Sequence, residues 1–368
     1  MSAAPVFTPL SAFPVSHAQP FALERGADLT RLNTFGIMAR ARAYVQIRSL
    51  QHLQQLRQLL AQDAELAALP RLVLGGGSNL LLLGDVHGLV VHMCAEGMQR
   101  AGEDADFHYL RAAAGSNWHQ FVEWSLAQGV PGLENLSLIP GTVGASPIQN
   151  IGAYGVELRQ YLHSVTVFDW DSGQIVVLDN AACRFGYRDS VFKHAWRERG
   201  LVLELCFALP KVWQAQTGYG ELAETLRQQG IASPEAQQVA QAVCAIRRRK
   251  LPDPAQLGNA GSFFKNPVVT RAQRTALLAV WPDLVSYLQS DGSYKLAAGW
   301  MIDRAGWKGK RLGAAGVHEQ QALVLVNHGG ASGQEIAALA QAIVQDIQAR
   351  FGVRLEMEPV VAGGPPVQ

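Results

Sequence analysis

Chemistry in this chain starts with glycine. Gly75-Gly76-Gly77-Ser78-Asn79 follows directly on a short apolar run, Leu72-Val73-Leu74. Successive glycine N–H groups can form an anion-binding concavity, to which Ser78 and Asn79 add donors. The segment is not a P-loop, because no GK[ST] follows, and Leu80 stands where a dinucleotide GxGxxG would place its last glycine. A plain glycine turn is the competing reading. The second candidate is the stretch 131–155, PGLENLSLIPGTVGASPIQNIGAYG. Its 25 residues hold five glycines, three prolines and one charge, Glu134. A loop of that length without secondary structure inside a domain is usually functional, and its glycines and prolines suit a stiff cradle for a large cofactor. A long structural crossover is the alternative.

Other residues suggest work on an anionic substrate. Gly261-Ser262 places a hydroxyl in a glycine turn, between Lys250, Lys265 and Asn266. Lysines near a hydroxyl can bind an anion and ease proton donation, although a serine in such a turn also serves as a local cap. There is no GxSxG, so a hydrolase triad is poorly supported. Arg188 sits between Tyr187 and Asp189, and an Arg–Asp neighbour pair is more often a structural salt bridge than a catalytic device. Glu358 shares a strand face with Glu356. Tyr219, between two glycines, reads equally as a surface aromatic or as part of a lid. None of these loops carries the lysine and metal-binding carboxylates of a phosphoryl-transfer site. Taken alone, the residues indicate a cofactor-dependent enzyme acting on an anionic substrate.

Composition narrows the class. The 368 residues are 48% hydrophobic and 17% charged, enough for two or three cores, with a net charge of +1 and a pI of about 7.8. That balance gives no non-specific nucleic-acid surface, and the run Arg247–Lys250 reads as favourable charge at a helix C-terminus. Four scattered cysteines form no CxxC pair and the ten histidines no HExxH, so neither a disulfide framework nor a metal is expected. Residues 1–20 lack Lys and Arg and read as a loose tail rather than a secretory signal. The longest leucine run, Leu80–Leu83, is far below a membrane span. A cytoplasmic location and no membrane partner are expected.

The elements that must position these residues are mixed α and β. Thr30–Gly36 is a turn leading into a strand. Ser49 caps a helix bearing Leu50, Leu53, Leu56, Leu59 and Leu60 on one face. Strands are expected at Leu72–Leu74, Leu89–Val91, Leu110–Ala114 and Leu201–Phe207. Ser116 or Asn117 caps a helix through Leu126 that Gly129 closes. Val165–Phe168 and Ile175–Leu178 form a hairpin around Asp171-Ser172-Gly173. A helix begins at Ser233-Pro234 and ends at Lys250, and Pro252 and Pro254 then mark a domain boundary. Lys295–Asp303 reads as helical and Ala322–Val326 as a strand. Ser332 and Glu335 form a capping box that opens a long helix, Gly352 ends it, and Val353–Glu358 reads as a final strand.

With those residues in view, the chain resembles the UDP-N-acetylenolpyruvoylglucosamine reductases. The similar motifs are Asn33-Thr34-Phe35-Gly36, Gly75–Asn79, Pro131–Gly155, Phe185–Lys193, Lys250–Pro254, Asn259–Pro267, Lys295–Asp303 and Val317–Asn327, spanning roughly residues 30–358 in order. The resemblance implies an α+β fold: a two-subdomain FAD-binding fold of the vanillyl-alcohol-oxidase type plus a separate α+β substrate-binding domain. The corresponding division is a tail at 1–23, FAD subdomains at 24–93 and 94–250 (the latter with a C-terminal strand at 352–368), and a substrate domain at 251–351.

The same resemblance implies the reaction. NADPH reduces a non-covalent FAD, the reduced flavin reduces the enolpyruvyl ether of UDP-N-acetylglucosamine-enolpyruvate, and the lactyl ether UDP-N-acetylmuramate results. Arg188 and Glu358 match the residues that stabilise the enolate-like charge, and Ser262 matches the proton donor. A glutamate there can help only if it is protonated or shares a proton. Gly75, Gly76, Gly77, Ser78, Asn79, Pro140, Gly141, Thr142, Gly144, Ser146, Gln149, Asn150, Gly152, Ala153, Tyr154 and Gly155 match FAD contacts. Tyr219, Lys250, Asn266 and Gln321 match substrate-binding positions. No histidine lies in the first glycine loop, so a covalent flavin link is not expected. A monomer is expected. Pro359 departs from the family's usual Glu-Val-Arg ending and removes a backbone donor just after Glu358. A non-catalytic UDP-sugar-binding protein on the same scaffold, and a flavin oxidase of the same fold, are the competing classes.

Overall fold

The computed structural model describes residues 20–364, so residues 1–19 of the expected tail and 365–368 of the expected terminal segment lie outside the described residues. The chain divides into two compact units. The first takes residues up to Ala27, Arg42–Gly76 and Gly88–Arg247, and the second takes Asp28–Ala41, Gly77–His87 and Arg248 onward.

The first unit is built on two sheets. One runs in the order Leu23–Asp28, Arg40–Ile47, Val86–Met93, Arg71–Leu74, with the last two strands parallel. The other is antiparallel, in the order Ile175–Asp179, Leu162–Asp169, Gly200–Pro210, Phe107–Ala113, Met98–Glu103. The expected hairpin is present, with Val165 opposite Leu178 and Gly173 turning at φ 71°. Helix Trp118–Ala127 starts at Asn117, whose side chain accepts from the Gln120 N–H, and Gly129 beyond its end has φ 69°. The helix lays Trp118, Phe121 and Val122 on the core beside Phe207, with the Phe121 and Phe207 rings 4.9 Å apart. Burying Trp118 requires a partner for its indole N–H, and it donates to Leu136 O at 2.9 Å. That bond ties the core to the 131–155 stretch. A smaller cluster packs Leu222 and Leu226 of helix Gly220–Gln228 against Val239, Val243 and Ile246 of helix Ala236–Lys250.

In the second unit an antiparallel sheet runs in the order Gly258–Ser262, Val324–Asn327, Ala315–Val317, Arg311–Leu312. A three-stranded sheet joins Val268–Val269, Tyr294–Leu296 and Ser286–Leu288. Helix Gly333–Phe351 has the expected capping box, buries Ile336, Leu339, Ile343 and Ile347, and ends at Gly352 with φ 64°. Leu80–Leu82 pairs in parallel with Val360–Ala362.

Three local expectations are corrected. Lys295–Asp303 is not one helix: Lys295 sits in strand Tyr294–Leu296, opposite both Val268 and Tyr287, and the helix starts only at Ala298. Val353–Glu358 is not a strand. It makes one isolated bridge, Met357 to Phe264, and regular pairing resumes only beyond Pro359, at Val360. The stretch 131–155 is not free of secondary structure. It contains 3-10 turns at Glu134–Leu136 and Val143–Ala145 and a small hairpin, Gly152–Ala153 with Val156–Glu157.

Candidate functional site

In the first unit the two glycine loops meet backbone to backbone. A Cβ added at Gly75 would lie 2.7 Å from Thr142 Oγ1, and one at Gly76 would lie 3.1 Å from Gly141 Cα. At Gly76 the neighbour is backbone, which would have to give by a few tenths of an ångström to admit a Cβ, so glycine allows the close approach. The partner loop is docked in turn: Gly144 N donates to Ala114 O at 2.8 Å, Val143 N to Ser116 O at 2.9 Å, and Trp118 N to Gly141 O at 3.1 Å. A Cβ at Gly144 would press on Ala114 Cβ at 2.5 Å. Leu72–Leu74 and Leu80–Leu82 belong to different sheets, so Gly75–Asn79 is not the turn of a hairpin. Two closely apposed glycine-containing runs, Gly75–Gly76 and Gly141–Gly144, fit a bound pyrophosphate such as that of FAD.

Further along, Pro140 leads into Gly141. Ser146 donates its hydroxyl to Val143 O at 2.6 Å, closing its own turn. After Gln149, the buried Asn150 has φ 46° and donates to Glu157 Oε2 and Gly186 O, both at 3.0 Å, while its Oδ1 accepts from Arg159 N. These two side chains shape the loop. Tyr154 and Gly155, with φ 48° and 83°, form the two-residue turn between Ala153 and Val156, the conformation a tight hairpin demands. The Tyr154 ring meets Tyr219 edge-on at 5.3 Å. Its hydroxyl bonds Arg247, and burial pushes its pKa up to about 12. Arg247 also donates to Leu138 O at 3.2 Å, and burial lowers its own pKa.

Arg188 stands on the turn Gly186–Asp189 with φ 54°. Its guanidinium donates to Gly152 O at 3.2 Å, and its carbonyl accepts from Lys193 Nζ at 2.9 Å. The Asp189 carboxylate is bound by His194 Nε2 at 2.9 and 3.0 Å.

The second unit gathers the other candidates. Gly77 has φ 62°, and its carbonyl accepts from Thr34 N at 3.1 Å and Thr34 Oγ1 at 3.3 Å. Ser78 follows, and Asn79 donates through Nδ2 to Glu358 O at 3.3 Å while its carbonyl accepts from Val360 N at 2.9 Å. Ser262 ends strand Gly258–Ser262 beyond an irregularity that begins at Asn259, with Gly261 at φ 69°. Glu358 N donates to Phe263 O at 2.8 Å, so Glu358 lies alongside the residue after Ser262. The Glu356 side chain is 70% exposed and pairs with Lys265 Nζ at 2.8 Å. Asn266 Oδ1 accepts from Ala298 N at 2.9 Å, and Gln321 Oε1 lies 3.5 Å from where a Gly299 Cβ would be, so both mark the start of helix Ala298–Arg304. Lys250 closes helix Ala236–Lys250.

The positioning roles of several residues do not show in the sequence. Buried Asn33 folds its own turn through Nδ2 to Leu29 O and Ile37 O, both at 2.9 Å. The next two residues then accept from Asn259 N, onto Thr34 O, and from Asn327 Nδ2, onto Phe35 O, both at 3.0 Å. Asn135 and Arg247 are the others, and no local spacing marks either. Among the described residues, no group of three His, Cys, Asp or Glu side chains could hold a metal, and no helix is long and apolar enough to cross a membrane.

Comparison with known proteins gives this geometry a family. Residues 41–179 match the family model of an FAD binding domain, and residues 253–362 match that of the UDP-N-acetylenolpyruvoylglucosamine reductase C-terminal domain. The chain is 56% identical over 339 residues to the UDP-N-acetylenolpyruvoylglucosamine reductase of Paraburkholderia phytofirmans, covering 91% of this chain and 96% of that one. It is 54% identical over 347 residues to the enzyme of the same name from Azoarcus sp. strain BH72, covering 93% and 99%. The crystal structure of the Thermus caldophilus reductase (MurB) shares the fold, with a TM-score of 0.63 at 23% identity over 93% of this chain and 99% of that one. The expected α+β fold, an FAD-binding part followed by a reductase C-terminal domain, is therefore present, and the chain belongs to the UDP-N-acetylenolpyruvoylglucosamine reductase family of FAD-dependent oxidoreductases.

Proposed function

We propose that this protein reduces the enolpyruvyl ether of UDP-N-acetylglucosamine-enolpyruvate to the lactyl ether, giving the peptidoglycan precursor UDP-N-acetylmuramate, with NADPH as reductant and as a cytoplasmic monomer. The observation that carries the reading is the identity of 56% across nearly the full length of a reductase of that name. FAD, when bound, supplies the hydride-transfer chemistry. Gly75, Gly76, Gly77, Ser78, Asn79 and the run Gly141–Gly144 would hold it through backbone and side-chain donors, and Gly152–Gly155 would contribute further contacts.

The chain's own residues handle charge and protons. Addition of hydride to the vinyl carbon leaves negative charge on the adjacent carbon and its carboxylate, and a fixed fork of donors suits that unit. Arg188 takes this role. The hydrogen bond from its guanidinium to Gly152 O supports the role, because it limits where the fork can point. Ser262 gives its hydroxyl proton to the adjacent carbon. Glu358, in the neutral or proton-sharing form, stabilises the same carboxylate. The Glu358–Phe263 backbone bond supports a joint role for these two residues. Tyr219, Lys250, Asn266 and Gln321 bind the UDP-sugar.

Half-reaction kinetics test the proposal. The purified protein is expected to be yellow, to be bleached by NADPH without oxygen, and to be reoxidised by the enolpyruvyl UDP-sugar. A folded, flavin-free preparation would overturn the reading, as would a reduced flavin that oxygen reoxidises but the UDP-sugar does not.

A further inference from the structure

The segment that carries Tyr219 leaves the large sheet at Pro210 and reaches helix Gly220–Gln228 without regular structure. Two buried side chains from the turn Glu134–Leu136 hold it. The Glu134 carboxylate, 1% exposed, accepts from Gly132 N at 2.6 Å and from the Trp213 indole N–H at 2.7 Å. Asn135, fully buried, donates through a single nitrogen to two carbonyls, Tyr154 O at 2.9 Å and Gln216 O at 2.7 Å.

The second arrangement is specific. Two carbonyl acceptors fix which way the carboxamide faces, since the flipped group would set oxygen against oxygen. Oδ1 is buried and has no partner among the described residues, so the two donated bonds alone orient it. One of those carbonyls belongs to Tyr154, whose φ of 48° is sparsely populated for a non-glycine residue and persists where its surroundings over-determine it. The other belongs to Gln216, three residues before Tyr219. The Tyr154 and Tyr219 rings already touch edge-on at 5.3 Å. One amide nitrogen therefore sets the spacing between the Tyr154 turn and the segment bearing Tyr219.

We infer that Asn135, backed by the Glu134–Trp213 bond, is a positioning residue that latches the 211–219 segment to the Tyr154 turn and so sets the placement of Tyr219 for the UDP-sugar. The inference rests on the proposed reductase reading for Tyr219 alone; the latch itself is a property of the fold. Asn135→Leu keeps the size and removes both donors. Trp213→Phe keeps the ring and removes the indole donor, and it decides the matter if Asn135→Leu does not fold.

Two readouts on the flavin-loaded protein test it. In limited trypsinolysis, both variants are expected to be cut after exposed Lys211 or Arg227 about tenfold faster than wild type, with other sites unchanged. Equal cutting rates would overturn the latch whatever the substrate is. In steady state, Asn135→Leu is expected to raise KM for the enolpyruvyl UDP-sugar about tenfold, while flavin bleaching by NADPH stays within about twofold. Combined with Tyr219→Ala, it should add little further, because residues acting through one another are non-additive. Full additivity, or equal slowing of bleaching and reoxidation, would overturn the positioning role. A wild-type protein that ignores the UDP-sugar would overturn the reductase reading and leave the proteolysis result to judge the latch.

Discussion

Gly36→Ala and Gly77→Ala together measure how closely the first glycine loop is pressed onto the turn beneath it. Both residues lie in the second unit with nearly the same backbone, φ 67° and 62°. An alanine in that region costs about 1–2 kcal/mol, and reduced freedom of the unfolded chain offsets roughly 0.4–1 kcal/mol of it. At Gly36 a new Cβ meets nothing within 4 Å, so the net cost should be about 1 kcal/mol. At Gly77 the same Cβ would lie 2.0 Å from Leu32 O, 2.8 Å from Leu32 C and 2.9 Å from Asn33 Cα, all backbone atoms that cannot swing aside.

The loop must then lift. Lifting breaks the bonds from Thr34 N and Thr34 Oγ1 to Gly77 O, at about 0.5–1.5 kcal/mol each. If it does not lift, overpacking costs about 1–3 kcal/mol. Either route puts Gly77→Ala about 2 kcal/mol below Gly36→Ala, or roughly 4–8 °C in melting temperature for a unit of this size. Thermal unfolding of the two variants, followed by flavin fluorescence on release, reads the difference. Gly36→Ala should keep its flavin through desalting and Gly77→Ala should lose most of it. Melting temperatures within about 1 °C of each other would refute the close approach, and full flavin retention by Gly77→Ala would remove this loop from cofactor binding.

Ser262→Ala should leave NADPH bleaching intact and slow reoxidation by the UDP-sugar about 10²–10⁴-fold, the scale of a lost general acid; stopped-flow traces showing both half-reactions equally slow would make Ser262 structural. Arg188→Lys replaces a fixed fork with a point charge and should lower kcat/KM about 100-fold or more in steady-state assays, whereas wild-type turnover would take Arg188 out of the mechanism. The Arg199 guanidinium beside Asp169 holds that carboxyl well below the usual carboxylate range. Because the folded pKa is depressed, the pair's contribution is complete above the unfolded value of about 4 and fades as pH falls below it. Asp169→Asn should therefore melt below wild type at pH 7, with the gap narrowing below about pH 4; a gap constant with pH would mean the carboxylate charge is immaterial.

What could be read from the sequence was what local rules decide. Ser49, Asn117 and Ser332 cap helices because a side-chain oxygen finds an N–H two or three residues on, and that geometry is written in neighbouring letters. The hairpin at Asp171–Gly173 follows for the same reason. The failures are residues whose partners are distant. Lys295 looked helical with Ala297–Asp303, yet pairing with Val268 and Tyr287 claims it for a sheet. Met357 has the letters of a strand, but the segment finds one bridge and then meets Pro359. Asn33 and Thr34 read as a turn, and nothing near them signals that Thr34 grips Gly77 and receives Asn259.

The same division explains where the candidate site stores its strain. Five non-glycine residues have positive φ among those described, Leu138, Asn150, Tyr154, Arg184 and Arg188, and all lie in the first unit between residues 138 and 188. Each such conformation costs about 1–3 kcal/mol and persists only where neighbours over-determine it. Four of the five are clamped from elsewhere. Leu138 N donates to His119 Nδ1 and its carbonyl takes Arg247; Asn150 makes three side-chain bonds; Tyr154 O is held by Asn135; Arg188 O is held by Lys193. The strain is local in sequence, but most clamps come from other elements. A reading by motif therefore finds the loop and its proposed reactive residues and misses what keeps them in place. If the site depends on that backbone, its weak points are the clamps, and substitutions at Asn135 or His119, which carry no proposed chemistry, should harm substrate handling more than their own burial explains.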